Sequence, residues 1–282
     1  MPVSLNTQKI LMRLSYLQVP PEVNNRAIRG GFVGFDEVFA AMLSLPMNRI
    51  EPQMATARKL SAVLDKHPEL LKLRFLGQQT NEKGGFSAMA YRDTDGERVA
   101  AFRGSNRPLD YVDDWQMTVR SSDAQLLGAI DFYDTFLRRP NGSPVRLVGH
   151  SLGGGLATYL FILVAPTRRD VFACVVNSAF FPTPDTDSSV DILASERYVS
   201  YSDVSGALYK FYQLMAKAPQ TVRAINDSDK TALTVPQNVI DHPVVSVWPG
   251  ILDVYEKYMR KNLTDNAPNN PLRGHMMIAV DL

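Results

Sequence analysis

The chain of 282 residues has a single cysteine, Cys174. An intramolecular disulfide is therefore excluded, and no covalent framework holds the fold. The residue lies in the apolar run Val171-Phe172-Ala173-Cys174-Val175-Val176, where it reads as a buried packing residue. Charge of one sign is lacking too, since 30 Lys and Arg face 29 Asp and Glu, a net +1. That balance argues against a nucleic-acid partner and against an anionic surface held by charge. No stretch approaches about 18 uninterrupted apolar residues, so no spanning helix is expected. Met1-Pro2-Val3-Ser4-Leu5-Asn6 has no basic region followed by an apolar one, so no secretory signal is expected. A cytoplasmic protein is the default expectation, with signal-independent export as the alternative. Internal repeats, low-complexity tracts and a clear linker are also missing.

What is present suits a globular protein with a sizeable core: 45% apolar and 21% charged residues. The chain reads as a single domain over 1–282. Its parts are a helical N-terminal layer (1–70), an α/β body, and a helical cap or lid insertion over 204–270.

Asn6 and Thr7 can cap a helix carrying Ile10, Leu11, Leu14 and Leu17, which Pro20-Pro21 would stop. A turn at Gly30-Gly31 precedes a helix around Phe35 to Leu45, and Pro52 opens another toward Leu64. His67, beside Pro68, reads as a solvated helix-end residue. From Leu71 the apolar period becomes extended. Segments 73–76, 86–91 and 98–102 read as strands separated by turns at 81–85 and 93–96. A helix with Leu126, Ile130, Tyr133 and Leu137 follows, then strands at 145–148, 171–178 and 197–201. Such alternation predicts a mostly parallel sheet covered by helices on both faces.

The strongest motif is Gly149-His150-Ser151-Leu152-Gly153-Gly154-Gly155. Gly-x-Ser-x-Gly alone arises by chance in roughly one chain in ten of this length, so its context decides. A buried strand, Val145 to Val148, leads in, and a helix apolar nearly all round, Leu156 to Val164, leads out. Strand, sharp turn with Ser, then helix is the setting of a nucleophile elbow. The turn strains the Ser backbone, and the flanking glycines allow strand and helix to approach. Ser151 then heads the helix, where exposed N–H groups, that of Leu152 included, can hold an oxyanion.

A nucleophilic Ser needs a base, and the base needs an orienting acid. In this arrangement the order is Ser, then acid, then His. Of four histidines, His67 precedes the Ser and His150 packs inside the elbow, which leaves His275 and His242. His275 sits on a loop before the apolar run Met276 to Val280, and His242 in Asp241-His242-Pro243. Asp203 ends a strand on its carboxyl side, where catalytic groups of open α/β sheets collect. Asp185 and Asp187 compete from the loop after the preceding strand. A second oxyanion donor should follow an earlier strand, and Ser105, in Phe102-Arg103-Gly104-Ser105, offers an N–H and a hydroxyl.

Taken together, Phe102-Arg103-Gly104-Ser105, Asp114-Trp115 and Gly149-His150-Ser151-Leu152-Gly153-Gly154 resemble the class 3 (fungal-type) lipase family of the α/β-hydrolase superfamily. The match extends to Tyr201-Ser202-Asp203-Val204 and to Asn270-Pro271 with Gly274-His275-Met276. Where many members read Phe-Gly-Ser-Pro, this chain has Val176-Asn177-Ser178-Ala179-Phe180, which is more like a bacterial branch. The resemblance implies an α/β-hydrolase fold with Ser151 as nucleophile, Asp203 as acid and His275 as base. Ser105 and the Leu152 N–H would line the oxyanion hole. It also implies a carboxylic-ester or lipid substrate, contact with a lipid interface and no metal or other cofactor. Phospholipase A1 or lysophospholipase activity is the alternative, in an exported antibacterial protein with a neutralising partner. A thioesterase and a non-catalytic binding module on the same fold are further alternatives. Leu208, Phe211 and Tyr212 at helical spacing, and Leu109 and Tyr111 in the loop 106–113, are the candidates for a lid or acyl-contacting surface.

Overall fold

Alternating apolar residues build an eight-stranded sheet whose spatial order equals the chain order. The strands are β1 (Arg74–Asn81), β2 (Phe86–Arg92), β3 (Arg98–Phe102), β4 (Val145–His150), β5 (Val171–Val176), β6 (Tyr198–Asp203), β7 (Val222–Ile225) and β8 (Ala232–Thr234). This computed structural model describes residues 3–45, 66–81, 85–104, 124–138, 142–176, 178, 192–193, 195–203, 222–225 and 232–234. The first three strands run antiparallel, β3 through β7 are parallel, and β8 turns back against β7. Short turns explain the antiparallel entry. Asp93 accepts the Glu97 N–H on its side chain at 2.8 Å, and Gly96 takes φ 92 to close the β2–β3 turn.

The period of two sorts the strand residues cleanly between two cores. Met89, Tyr91, Val99, Ala101, Val148, Cys174 and Val176 face one side. Phe86, Ala88, Ala90, Ala100, Phe102, Val145, Leu147, Val171, Ala173 and Val175 face the other. On this second face lie α4 (124–132), which runs into a π turn at Tyr133–Leu137, and α5 (Leu152–Val164). Both are crossovers between parallel neighbours. Successive strands laid down in one direction with right-handed crossovers must put every connecting helix on the same face. The opposite face would stay wet. The N-terminal layer covers it with α1 (Leu5–Leu14), α2 (Pro21–Ile28) and α3 (Phe35–Ser44).

Several boundaries differ from the sequence reading. Ser4 caps α1, accepting the Thr7 N–H at 3.1 Å, while Asn6 and Thr7 already lie in the first turn. A cap needs extended backbone, which Ser4 has at ψ 156. Pro20-Pro21 does not stop α1, which ends at Leu14 with Ser15 as its C-cap. Pro21 opens α2 instead, at a position where a missing N–H costs nothing. His67 is only partly solvated: it begins the 3₁₀ turn Pro68–Lys72 and its Nδ1 lies 2.9 Å from Glu69. Strand β5 stops at Val176 rather than 178, and Cys174 is buried as expected. Within 204–270, read as a helical insertion, the described residues are the backbones of β7 and β8, which widen the sheet. The helix expected from Pro52 to Leu64 and the stripe Leu208, Phe211 and Tyr212 lie outside the described residues. Among the described residues no helix is long and apolar enough to cross a membrane.

Candidate active site

Strand β4 delivers Ser151 to the carboxyl edge of the sheet, and α5 starts at the next residue. Ser151 has φ 57 and ψ −125, the single positive φ of a non-glycine among the described residues. Such backbone costs of order 1–3 kcal/mol and persists only where its surroundings impose it. Two hydrogen bonds do so. The Ser151 N–H donates to the Val176 carbonyl at 3.1 Å, and the Ser151 carbonyl accepts the Gly155 N–H at 3.1 Å. The turn is thus tied to β5 on one side and to the first turn of α5 on the other. The Ser151 side chain does not cap α5.

Three glycines make the close approach sterically feasible. A methyl group on Gly149 would sit 2.2 Å from the Gly153 carbonyl oxygen. One on Gly153 would sit 2.1 Å from the Phe102 carbonyl oxygen, at the end of β3. One on Gly154 would meet the Ser178 Cα at 3.0 Å. The first turn of α5 is therefore wedged between the chain leaving β3 and the chain leaving β5. Leu152 takes the first helical position, where backbone N–H groups have no partner within the helix.

Gly104 brings the loop after β3 to the same point. A methyl group there would meet the Tyr16 hydroxyl at 2.2 Å, the His150 carbonyl at 2.7 Å and the Ser151 Cβ at 3.2 Å. Arg103 anchors the start of that loop. Its N–H donates to the Ser87 carbonyl at 2.9 Å, and its guanidinium reaches the Gly85 carbonyl at 3.1 Å. His150 is buried, as expected for a residue that packs inside the elbow, and its Nδ1 lies 3.0 Å from the Tyr16 hydroxyl. Tyr16 was not among the residues read from the sequence. It lies off the apolar stripe of α1 and 134 positions from its partner, so no local signal points to it.

Asp203 is the last residue of β6, and its backbone pairs with Ile225 of β7. In the register, His150 faces Val176 and Val176 faces Tyr201. The backbone of Asp203 thus stands at the sheet edge that carries Ser151, two strands away, roughly 10 Å at the usual strand spacing. His275, Ser105, Leu109 and Tyr111 lie outside the described residues, as do the competitors His242, Asp185 and Asp187. Among the described residues, no group of three or more His, Cys, Asp or Glu could hold a metal ion.

Residues 53–174, which hold β1 to β4, α5 and the elbow, match the family model described as a Tle-like phospholipase domain. No curated protein matches the chain in sequence. Among solved structures, a triacylglycerol lipase from Penicillium expansum is 13% identical, with a TM-score of 0.42 over 60% of this chain and 76% of that one. A Rhizomucor miehei lipase in complex with its propeptide is 14% identical, with a TM-score of 0.40 over 83% and 74%. Lip2 lipase from Yarrowia lipolytica is 11% identical, with a TM-score of 0.40 over 55% and 66%. The sheet topology and the strained elbow carry the fold assignment independently of those superpositions. Over residues 53–174 the chain is similar to a phospholipase-like domain, and a parallel sheet with a strained serine between β4 and α5 is the layout of an α/β-hydrolase fold.

Proposed function

We propose that this chain hydrolyses carboxylic esters of lipids by transferring the acyl group to Ser151. The Ser151 hydroxyl attacks the ester carbonyl while His275 takes its proton and passes it to the departing alcohol. Asp203 holds the imidazole in the tautomer that accepts this proton. The Leu152 N–H and Ser105 stabilise the tetrahedral oxyanion. Water, activated by the same histidine, then cleaves the acyl-enzyme, releasing the acid and restoring the hydroxyl. Leu109 and Tyr111, with Leu208, Phe211 and Tyr212, supply the apolar surface that receives the acyl chain.

One observation carries this reading: Ser151 is held at φ 57 between a buried strand and a helix N-terminus, with Gly104 of the preceding loop against its Cβ. A strained serine facing helix N–H groups is the arrangement acyl transfer uses. The test is labelling with a fluorophosphonate followed by mass spectrometry, together with turnover of soluble and emulsified esters. An adduct on Ser151 is expected. Ser151→Ala should lose several orders of magnitude in kcat with an unchanged thermal midpoint. Retained turnover in that variant would place the nucleophile elsewhere.

The phospholipase-like family model favours a second reading, in which the substrate is a phospholipid. Fatty-acid release from phosphatidylcholine vesicles exceeding that from a triacylglycerol emulsion would select it. In an antibacterial effector such an activity calls for a neutralising partner protein. Wild type, and not Ser151→Ala, should then harm the cell that expresses it.

A further inference from the structure

We infer that Tyr16 is a positioning residue of this site. Its hydroxyl, supplied by the N-terminal layer, locks the loop after β3 to the elbow after β4 at the spacing acyl transfer requires. The inference rests on Ser151 being the nucleophile.

Three observations converge. First, the Tyr16 hydroxyl touches both strand ends that build the site. It is 3.0 Å from His150 Nδ1, beside the serine, and lies where a side chain on Gly104 would be. The same spot is bounded by the His150 carbonyl and the Ser151 Cβ. Gly104 is the last described residue after β3, and the phenol sets how near it stands to the elbow.

Second, the backbone that carries the phenol is held on both sides. Before it, the Ser15 hydroxyl donates to the Met12 carbonyl at 2.6 Å and closes α1, and the Tyr16 N–H follows to the Arg13 carbonyl at 3.2 Å. After it, the buried Gln78 amide clamps the chain, donating to the Leu17 carbonyl at 2.9 Å and accepting the Val19 N–H at 2.8 Å. Asn24 fixes Gln78 in turn through paired backbone bonds at 2.8 and 2.7 Å. A side chain whose own backbone is locked in this way positions its neighbours instead of adapting to them.

Third, ring packing does not need the hydroxyl. The Tyr16 and His150 rings lie 6.4 Å apart and tilted by 55°, a contact that a phenylalanine would keep. The polar atom serves the two strand ends. A donor displaced by about 1 Å from a developing oxyanion can cost about 100-fold.

The experiment compares wild type, Tyr16→Phe, His150→Gln and the double variant on a short-chain soluble ester. Active sites are titrated with a fluorophosphonate, so that kcat is expressed per competent Ser151. Tyr16→Phe should lower kcat per titrated site about tenfold or more while KM moves less than about twofold. His150→Gln should cost a similar factor, and the double variant no more than either alone, because both act through one contact. Fewer titratable sites with kcat per site unchanged would mean a purely structural role and overturn the inference. So would full kcat in Tyr16→Phe. Titration counts only competent protein, so a variant that folds poorly still reports on its folded fraction. If Ser151 of the wild type takes no label, the nucleophile reading fails and this inference fails with it. If wild type labels and Tyr16→Phe is fully active, this inference fails alone.

Discussion

At Ser151 the chain accepts a backbone that other residue types avoid, and the glycines around it exist to allow that. Their roles separate by what surrounds them. Gly142 has φ 65 with open space where a methyl group would stand, whereas a methyl on Gly149 would face the Gly153 carbonyl at 2.2 Å. Gly142→Ala should therefore cost about 1 kcal/mol, the left-handed penalty alone. Gly149→Ala must push apart a central strand and the helix that covers it, and neither can yield. A loss of about 3 kcal/mol or more is expected, read from urea midpoints. The motif glycines were legible in the sequence because turn, strand and helix adjoin there. Gly104 was legible only as part of a small turn. Its contact with Tyr16 joins residues 88 positions apart, 104 minus 16, which no local pattern encodes.

Among the elements, the contact of α5 with β6 has its own pH signature. Tyr198 of β6 shares a hydrogen bond of 3.0 Å with Thr158 of α5, and its ring lies 5.6 Å from that of Phe161. Burial pushes its phenol up to about 12. In the unfolded chain a tyrosine titrates near 10. Between those values the unfolded state gives up a proton that the folded state keeps, so stability falls as pH rises. Below about pH 10 the full contribution is present. Tyr198→Phe should therefore flatten part of the alkaline loss seen in urea unfolding. Some slope should remain, since burial raises Tyr91 as well. Strands β2 to β5 were legible because their alternation is regular. The capping of α1 and the start of α2 were misread, because Ser4, Asn6 and Thr7 are all good cap residues and only the chain path selects among them. Strands β7 and β8 were missed because segments of 4 and 3 residues carry too little pattern.

Over the whole molecule, the sequential strand order creates a division of labour. Right-handed crossovers give α4 and α5 to one face, and the other face depends on the N-terminal layer that ends with α3 at Ser44. Leu11, Val33 and Phe35 are almost wholly buried there against Tyr91, Val99 and Val148. The layer is joined to the body by polar contacts too. Glu97 pairs with Arg146 at 2.9 Å and accepts the Val3 N–H at 3.0 Å, and Gln78 holds the link between α1 and α2. Removing residues 1–44 should leave the sheet with one apolar face in water. The expected product is insoluble or binds a hydrophobic dye more strongly than the full chain. A soluble, cooperatively unfolding truncation would show the layer to be an accessory.

The sequence by itself determined the class of fold and the elbow that carries Ser151. Those follow from short-range physics: alternation makes strands, apolar helices seek burial, and only glycine fits where two backbones touch. Only the tertiary structure decided that the N-terminal layer, besides covering the sheet, brings Tyr16 beside the elbow. That juxtaposition needs a strand order, a crossover hand and a sheet register before Tyr16 can meet His150 and Gly104. None of these is written in any window of adjacent residues, because each arises from how distant segments share one sheet.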